Sequence, residues 1–239
     1  MVFLMTDVNG LIGKIEALFK QAANTSFPEE AATFQAKAQE LMTKYQIEEA
    51  MLNNRVLDDE LTVVEVKINN PYFIDKCILL NSIAKHNYCR VVRYGYANVA
   101  KVYGYSNDIK MVVAMYTSLE MHMIAEMWVA YKQKPDYAST VSWKKSFFTG
   151  YSKVIGSRLA KAKRESINDA DKFNGNNSVS LVLVKKDALV DEYFNNTKGY
   201  TTSSTRTLTS LSGMNAGGDA GNRANIGQAS MSGSRALGR

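Results

Sequence analysis

"YCRVVRYGYANVAKVYGY", residues 88–105, holds two runs rich in Val and Tyr, parted by Ala97 and Asn98. β-branched and aromatic residues favour a pleated, half-buried surface, so the pair reads as a β-hairpin, although Ala-Asn is not among the preferred hairpin turns. Upstream, "LTVVEVKI" at 61–68 has strand period and is ended by Asn69, Asn70 and Pro71. A helix is expected from about Tyr72 to Lys85, and a long one from Asn107 to Lys132, ended by Pro135.

The next segment, 141–166, "VSWKKSFFTGYSKVIGSRLAKAKRES", has no acid before Glu165. On a helix, Trp143, Phe147, Tyr151, Val154, Ile155, Leu159 and Ala162 form one apolar stripe, while Lys145, Lys153, Lys163 and Arg164 fall opposite. The stripe is therefore expected in a core. After the turn "NGNNS", "VSLVLV" at 179–184 reads as a buried strand and "KKDALVDEYFNN" as a short helix. The expected class is α+β, with a small sheet of about four strands packed with long amphipathic helices.

Toward the N-terminus, Leu11, Ile12, Ile15, Leu18, Phe19 and Ala22 recur at helical spacing. Ser26 as N-cap, Pro28 in the first turn and Glu29 at capping-box spacing start a second helix with Ala31, Phe34, Ala38, Leu41, Met42 and Tyr45 on one side. A brief acidic helix, "QIEEAML", extends this antiparallel hairpin. Three units are expected: a helical hairpin at 1–56, an α+β region at 57–195 and, from 196 to 239, a flexible basic tail too rich in Gly, Ser, Thr and Asn to offset its ordering entropy.

The chain's 239 residues, 46% hydrophobic and 10% aromatic, suffice for a sizeable core. The net charge of +6 is unevenly spread. Residues 1–60 carry five Lys/Arg against ten Asp/Glu, residues 61–194 carry nineteen against twelve, and the remainder five against one. Positive character thus belongs to the body and tail, which suits an anionic partner. Two cysteines, Cys77 and Cys89, make no disulfide framework and point to a reducing cytoplasm. No apolar run has the length of a membrane span, so no membrane association is expected.

Most chemistries find no pattern here. Cys77, His86, Cys89 and His122 match neither paired CxxC knuckles nor HExxH, and no metal or cofactor is expected. A His86–Cys89 nucleophilic pair would need a thiolate of lowered pKa and an oxyanion donor. No phosphate-binding glycine loop is present. An enzyme of another kind would have to gather His86, Cys89, Asp108 or Glu120 in one cleft.

Binding has more support. Lys144, Lys145, Lys153, Arg158, Lys161, Lys163 and Arg164 on the basic helix are candidate phosphate contacts; a solvated helix face is the competing reading. Tyr94 and Tyr96, with Tyr103 and Tyr105, stand beside Arg90, Arg93 and Lys101 and could present stacking and basic groups on a sheet. The element order approaches that of an RNA-recognition fold, but the RNP1 pattern is not met and an extra helix precedes the last strand. Arg223 and Arg235 in the tail complete the candidates, alongside Lys198, Arg206 and Arg239.

The hairpin "LIGKIEALFKQAANTSFPEEAATFQAKAQELMTKYQIEEAML" resembles the start of a family of bacterial and phage proteins catalogued as domain of unknown function twenty-seven eighty-six. The likeness lies in Lys14-Ile15, Ala22, Pro28-Glu29-Glu30-Ala31, Ala36-Lys37-Ala38, Leu41-Met42, Lys44, Ile47 and Glu49. Later blocks, "VAKVYGYSNDIKMVVAMYTSL", "SWKKSFFTGYSKVIGSRL", "SLVLVKKDALVDEYF", "AGNRANIG" and "RALGR", also resemble it. The resemblance implies a phage or mobile-element origin and no particular activity, since the family is defined by sequence. The expectation is a non-enzymatic accessory protein that associates with nucleic acid. The alternative is an interaction or structural component, virion-associated in one variant, that docks a protein partner through the acidic hairpin.

Overall fold

The computed structural model describes residues 8–51, 59–95, 97–134, 139–174, 178–199, 210–224 and 226. Helices α1 (Val8–Asn24) and α2 (Pro28–Met51) form the expected antiparallel pair. Ile12, Ile15, Phe19 and Ala22 are buried on α1, and Ala38, Met42 and Tyr45 on α2. At the turn, the working hydroxyl is one residue earlier than expected: Thr25 Oγ1 donates to Glu30 Oε2 at 2.8 Å and accepts from Phe27 N at 3.3 Å. "QIEEAM" continues α2 instead of forming a separate helix.

The sheet has β3 (Val99–Tyr105) at its centre, with β1 (Leu61–Lys67) and β2 (Arg90–Tyr94) antiparallel on either side. Val102 faces Val64 on β1 and Val91 on β2. Alternation along β3 sends Ala100 and Val102 into a core shared with α3 (Phe73–Lys85) and α4 (Ser106–Tyr131), and turns Tyr103 to the opposite face. Gly104 is small for a packing reason: a Cβ there would lie 2.7 Å from Cys89 Sγ and 3.2 Å from the Tyr88 carbonyl.

The expected fourth strand is a helix. Residues 179–184 open α6 (Ser178–Thr197), where Val179, Leu183, Lys186 and Val190 are buried at intervals of four, three and four. A six-residue run that is apolar but for Ser180 is too short for its period to separate a buried strand from a helix turn. The described sheet therefore has three strands. Tyr103 meets Phe194 of α6 edge-on at 5.1 Å, so α6 covers the face where an RNA-recognition fold would expose its aromatics.

Helix α5 (Thr140–Asn174) buries Trp143, Phe147, Tyr151, Ile155 and Leu159, as the stripe predicts. Its partner lies in the supposed tail. Helix α7 (Leu211–Arg223) packs along α5, with Gly213, Gly217 and Gly221 against the main chain of Trp143, Phe147 and Tyr151. A Cβ on Gly221 would sit 3.0 Å from the Tyr151 carbonyl, and one on Gly213 or Gly217 would overlap the carbonyl of Trp143 or Phe147. Ser210 caps the start by accepting from Gly213 N at 3.2 Å. Arg158 of α5 closes the other end, donating to Gly221 O at 2.6 Å, to Asn222 O at 3.1 Å and to Ala224 O. Glycine costs helix propensity, and here the close backbone approach offsets that cost. The hairpin, the sheet and α3, α4, α5 and α7 contribute to one continuous apolar cluster.

Candidate functional site

A charged centre lies where α2, α4 and α6 meet. Lys186 Nζ reaches Glu49 Oε2 at 2.6 Å and Asp108 Oδ2 at 2.7 Å, and Asp108 has no exposed surface. Gln46 Nε2 adds a long contact of 3.5 Å to Asp108 Oδ1 and one of 3.4 Å to Asn87 Oδ1. Nearby, both Asp59 carboxylate oxygens accept from Asn107 N, at 3.2 and 3.3 Å. Burial opposes charge on Lys186, but Asp108 and Glu49 overcome it and hold the ammonium firmly protonated. Burial pushes Glu49 and Asp59 above the usual carboxylate range. Such a cluster pins three distant segments together, and removing one partner would strand buried charge.

A second lysine shares a ring with the first. Tyr88 adopts φ of 55°, a left-handed conformation costly for an aromatic residue. Lys163 Nζ lies 3.1 Å from its ring centroid and Lys186 Nζ lies 5.7 Å away. Lys163 donates to the His86 carbonyl at 2.7 Å, yet among the described residues it forms no ion pair. Burial is the main cause that brings its pKa down to about 7; Lys186 lowers it further, against Asp108 and Asp187. A shallow recess of about 10 Å³, space for about one water, is lined by Thr43, Gln46, Tyr88, Lys163, Ser166 and Leu183, with Ile47 and Ile167.

The sequence candidates are scattered by comparison. Lys144 is buried, its Nζ 4.0 Å from the Trp128 ring centroid and 4.4 Å from that of Tyr131. Arg158 caps α7, and Lys163 turns inward to His86. Arg90 is bound by Asp187 at 3.0 Å and Asp191 at 2.6 Å, both on α6. Arg223 pairs with Glu126, and Lys161 stands 3.9 Å from Glu165. Arg93 and Tyr94 are exposed at the end of β2, where Lys101 Nζ lies 5.2 Å from the Tyr94 ring centroid. Lys145 is half-buried, while Lys153 and Arg164 are exposed. Tyr96 and Arg235 lie outside the described residues.

One basic grouping survives, and sequence reading saw only part of it. Lys163, Lys85 and Arg164 all bear on His86; burial and these like charges lower its pKa. The His86 ring touches α5 at Gly156, where a Cβ would lie 3.7 Å from Nε2. Lys85 is exposed at the last turn of α3. Lys153, Ser157, Ala160 and Arg164 share one line of α5.

Cys77 and Cys89 are free and buried; burial pushes Cys77 up to about 12 and Cys89 well above the ordinary thiol value, the opposite of an activated nucleophile. His86, Cys89 and Asp108 do lie around the two lysines, whereas Glu120 pairs with Lys76 at 3.0 Å. Among the described residues no group of three His, Cys, Asp or Glu is arranged to hold a metal ion, and no helix is long and apolar enough to cross a membrane. Glu49, Asp108, Lys186 and Tyr88 carried no sequence signal as a set. Lys186 adjoins Lys185 in an ordinary-looking basic pair, and only the helical reading of 179–184 would have turned it inward.

No curated protein matches the chain, and no solved structure does. The match to known families is confined to the hairpin, and the later blocks lie beyond it. Residues 10–49, which span most of α1 and α2, match the model of the family described as "Protein of unknown function (DUF2786)", in agreement with the resemblance read there.

Proposed function

We propose that the protein associates with nucleic acid through phosphate contacts, without strong sequence preference, using Lys153 and Arg164 on α5 with Lys85 and His86 beside them. The carrying observation is that Lys153 and Arg164 are exposed on one line of α5, with exposed Lys85 at the end of α3 next to His86, on which Arg164 also bears. Among the described residues Lys85, Lys153 and Arg164 form no ion pair with an acid, so their charge is not neutralised internally. The line from Lys153 to Arg164 runs about 16 Å along α5 at 1.5 Å per residue. That length matches several successive phosphates. The aromatics of the same helix are buried and the Tyr103 face is covered, which favours a backbone contact over base stacking.

The test is binding to single- and double-stranded DNA and RNA across a salt series. Combined Lys85→Gln, Lys153→Gln and Arg164→Gln should weaken binding to all sequences and lower the salt slope by about two to three. Absence of binding at low salt, or an unchanged slope, would overturn the reading.

A further inference from the structure

We propose that the outer face of α4 is a membrane-contact surface that rests against an anionic bilayer, with Trp128 inserted among the lipid headgroups. This is independent of the phosphate reading, whose Lys85, Lys153 and Arg164 lie on other helices.

Helix α4 is apolar around most of its circumference. Its inner side is core, with Met111, Val112, Met115, Leu119, Met123 and Met127 buried. A surface helix ordinarily puts charged residues on the opposite side. Here Thr117, Met121, Ala125 and Trp128 stand exposed there instead, at intervals of four, four and three, which is one line on a helix. Trp128 is 51% exposed and Met121 47%. The Thr117 hydroxyl is already satisfied, donating to its own helix at Val113 O, 2.9 Å away. Val129, beside Trp128, and Val141, at the start of α5, are exposed as well.

Charge frames this line and selects its partner. Exposed Lys110 and Lys132 mark its two ends, about 33 Å apart at 1.5 Å per residue. All three acids of α4 are engaged elsewhere: Asp108 with Lys186, Glu120 with Lys76 and Glu126 with Arg223. The occupant must therefore be apolar along the middle and negative at both ends. A second copy fails this requirement, because parallel pairing of α4 with itself sets Lys110 against Lys110, and antiparallel pairing about its centre sets Lys110 against Lys132. A nucleic-acid base fits poorly too, since the Lys144 ammonium lies 4.0 Å from the Trp128 ring centroid and occupies one face of the ring. An anionic bilayer meets the requirement. Indole and aliphatic groups enter the boundary between headgroups and acyl chains, where Trp is favoured, and the terminal lysines reach the lipid phosphates. Such a contact runs along the surface and needs no spanning helix.

The experiment mixes the full chain with vesicles of phosphatidylcholine, either alone or with roughly 30% phosphatidylserine, and reads co-sedimentation, tryptophan emission and quenching by lipids brominated on the acyl chain. The protein should bind the anionic vesicles, shift its emission to the blue and be quenched through Trp128, while Trp143, 1% exposed, stays out of the quencher's reach. Combined Met121→Ser and Trp128→Ser should weaken partitioning about tenfold, and Lys110→Gln or Lys132→Gln about fivefold each. Combined Lys153→Gln and Arg164→Gln, aimed at the α5 strip, should leave the quenching of bound protein unchanged. The proposal is overturned if the native chain fails to bind anionic vesicles at low salt, or binds with emission neither shifted nor quenched. It is equally overturned if binding survives Met121→Ser with Trp128→Ser but is lost with Lys153→Gln and Arg164→Gln. The first two outcomes are read on the native sequence, so they stand even if a variant fails to fold.

Discussion

The α1–α2 pair is antiparallel and the α5–α7 pair runs parallel, and the two are built from opposite materials. In the first, Ile15, Phe19, Ala38 and Met42 fill the interface with apolar volume. In the second, one partner contributes chiefly the absence of side chains: Gly213, Gly217 and Gly221 let α7 approach the α5 main chain. Hydrophobic periodicity detects the first kind of contact and is blind to the second, because close packing gains its energy from many short-range contacts that composition scales do not count.

Substitutions separate the two. Phe19→Ala removes a fully packed ring and should lower unfolding stability by about 4 kcal/mol, read by chemical denaturation. Gly217→Ala adds a single methyl where Phe147's carbonyl lies, and should cost about 2 kcal/mol while loosening α7 selectively, visible as faster amide exchange in residues 211–223. If Gly217→Ala were neutral, the close-approach account of α7 would be wrong.

Acid should affect the second pair more than the first. His122 Nδ1 lies 2.9 Å from the buried Tyr151 hydroxyl, and Glu126 and Arg223 are its charged neighbours. Burial lowers its pKa, helped by Arg223 and opposed by Glu126. The unfolded chain therefore binds a proton near the ordinary value of about 6.5 when the folded chain does not. Stability from this site is present above that pH and falls as pH drops below it. Amide exchange in α7 should quicken on going from pH 7 to 5.5, after correction for intrinsic rates, more than exchange in α1 and α2, and His122→Gln should flatten the difference.

The smallest effect has the opposite sign. Gly218 is one residue from Gly217, but a Cβ there would meet only Val154 Cγ2 at an ordinary 3.6 Å. Gly218→Ala should raise stability by about 0.7 kcal/mol through helix propensity alone. Adjacent glycines responding in opposite directions would show that position, not composition, makes α7.

These contrasts explain which parts of the fold were readable. Strands at 61–67, 90–94 and 99–105 announce themselves by Val and Tyr in short runs between turn residues, and α3, α4 and the buried stripe of α5 follow from helical period. Residues 179–184 mislead because a six-residue run, apolar but for Ser180, fits either period, and α7 is hidden because four glycines in thirteen residues argue against a helix in isolation. The candidate site was less legible still. The α5 cations look equivalent in sequence, but tertiary contacts turn Lys144, Arg158 and Lys163 to three internal tasks and leave Lys153 and Arg164 outside. Lys85 and His86 join them only because α3 ends against the middle of α5.

The Lys186 centre has a consequence for handling the protein. Mobile ions screen charges in water over a Debye length of about 8 Å at physiological salt, but they scarcely enter a site where Asp108 has no solvent-facing surface. Raising salt should thus dissolve attractions at the α5 surface while leaving the bond among α2, α4 and α6 at nearly full strength. If the basic strip holds polyanions as proposed, a high-salt wash should release them during purification without loosening the scaffold beneath it.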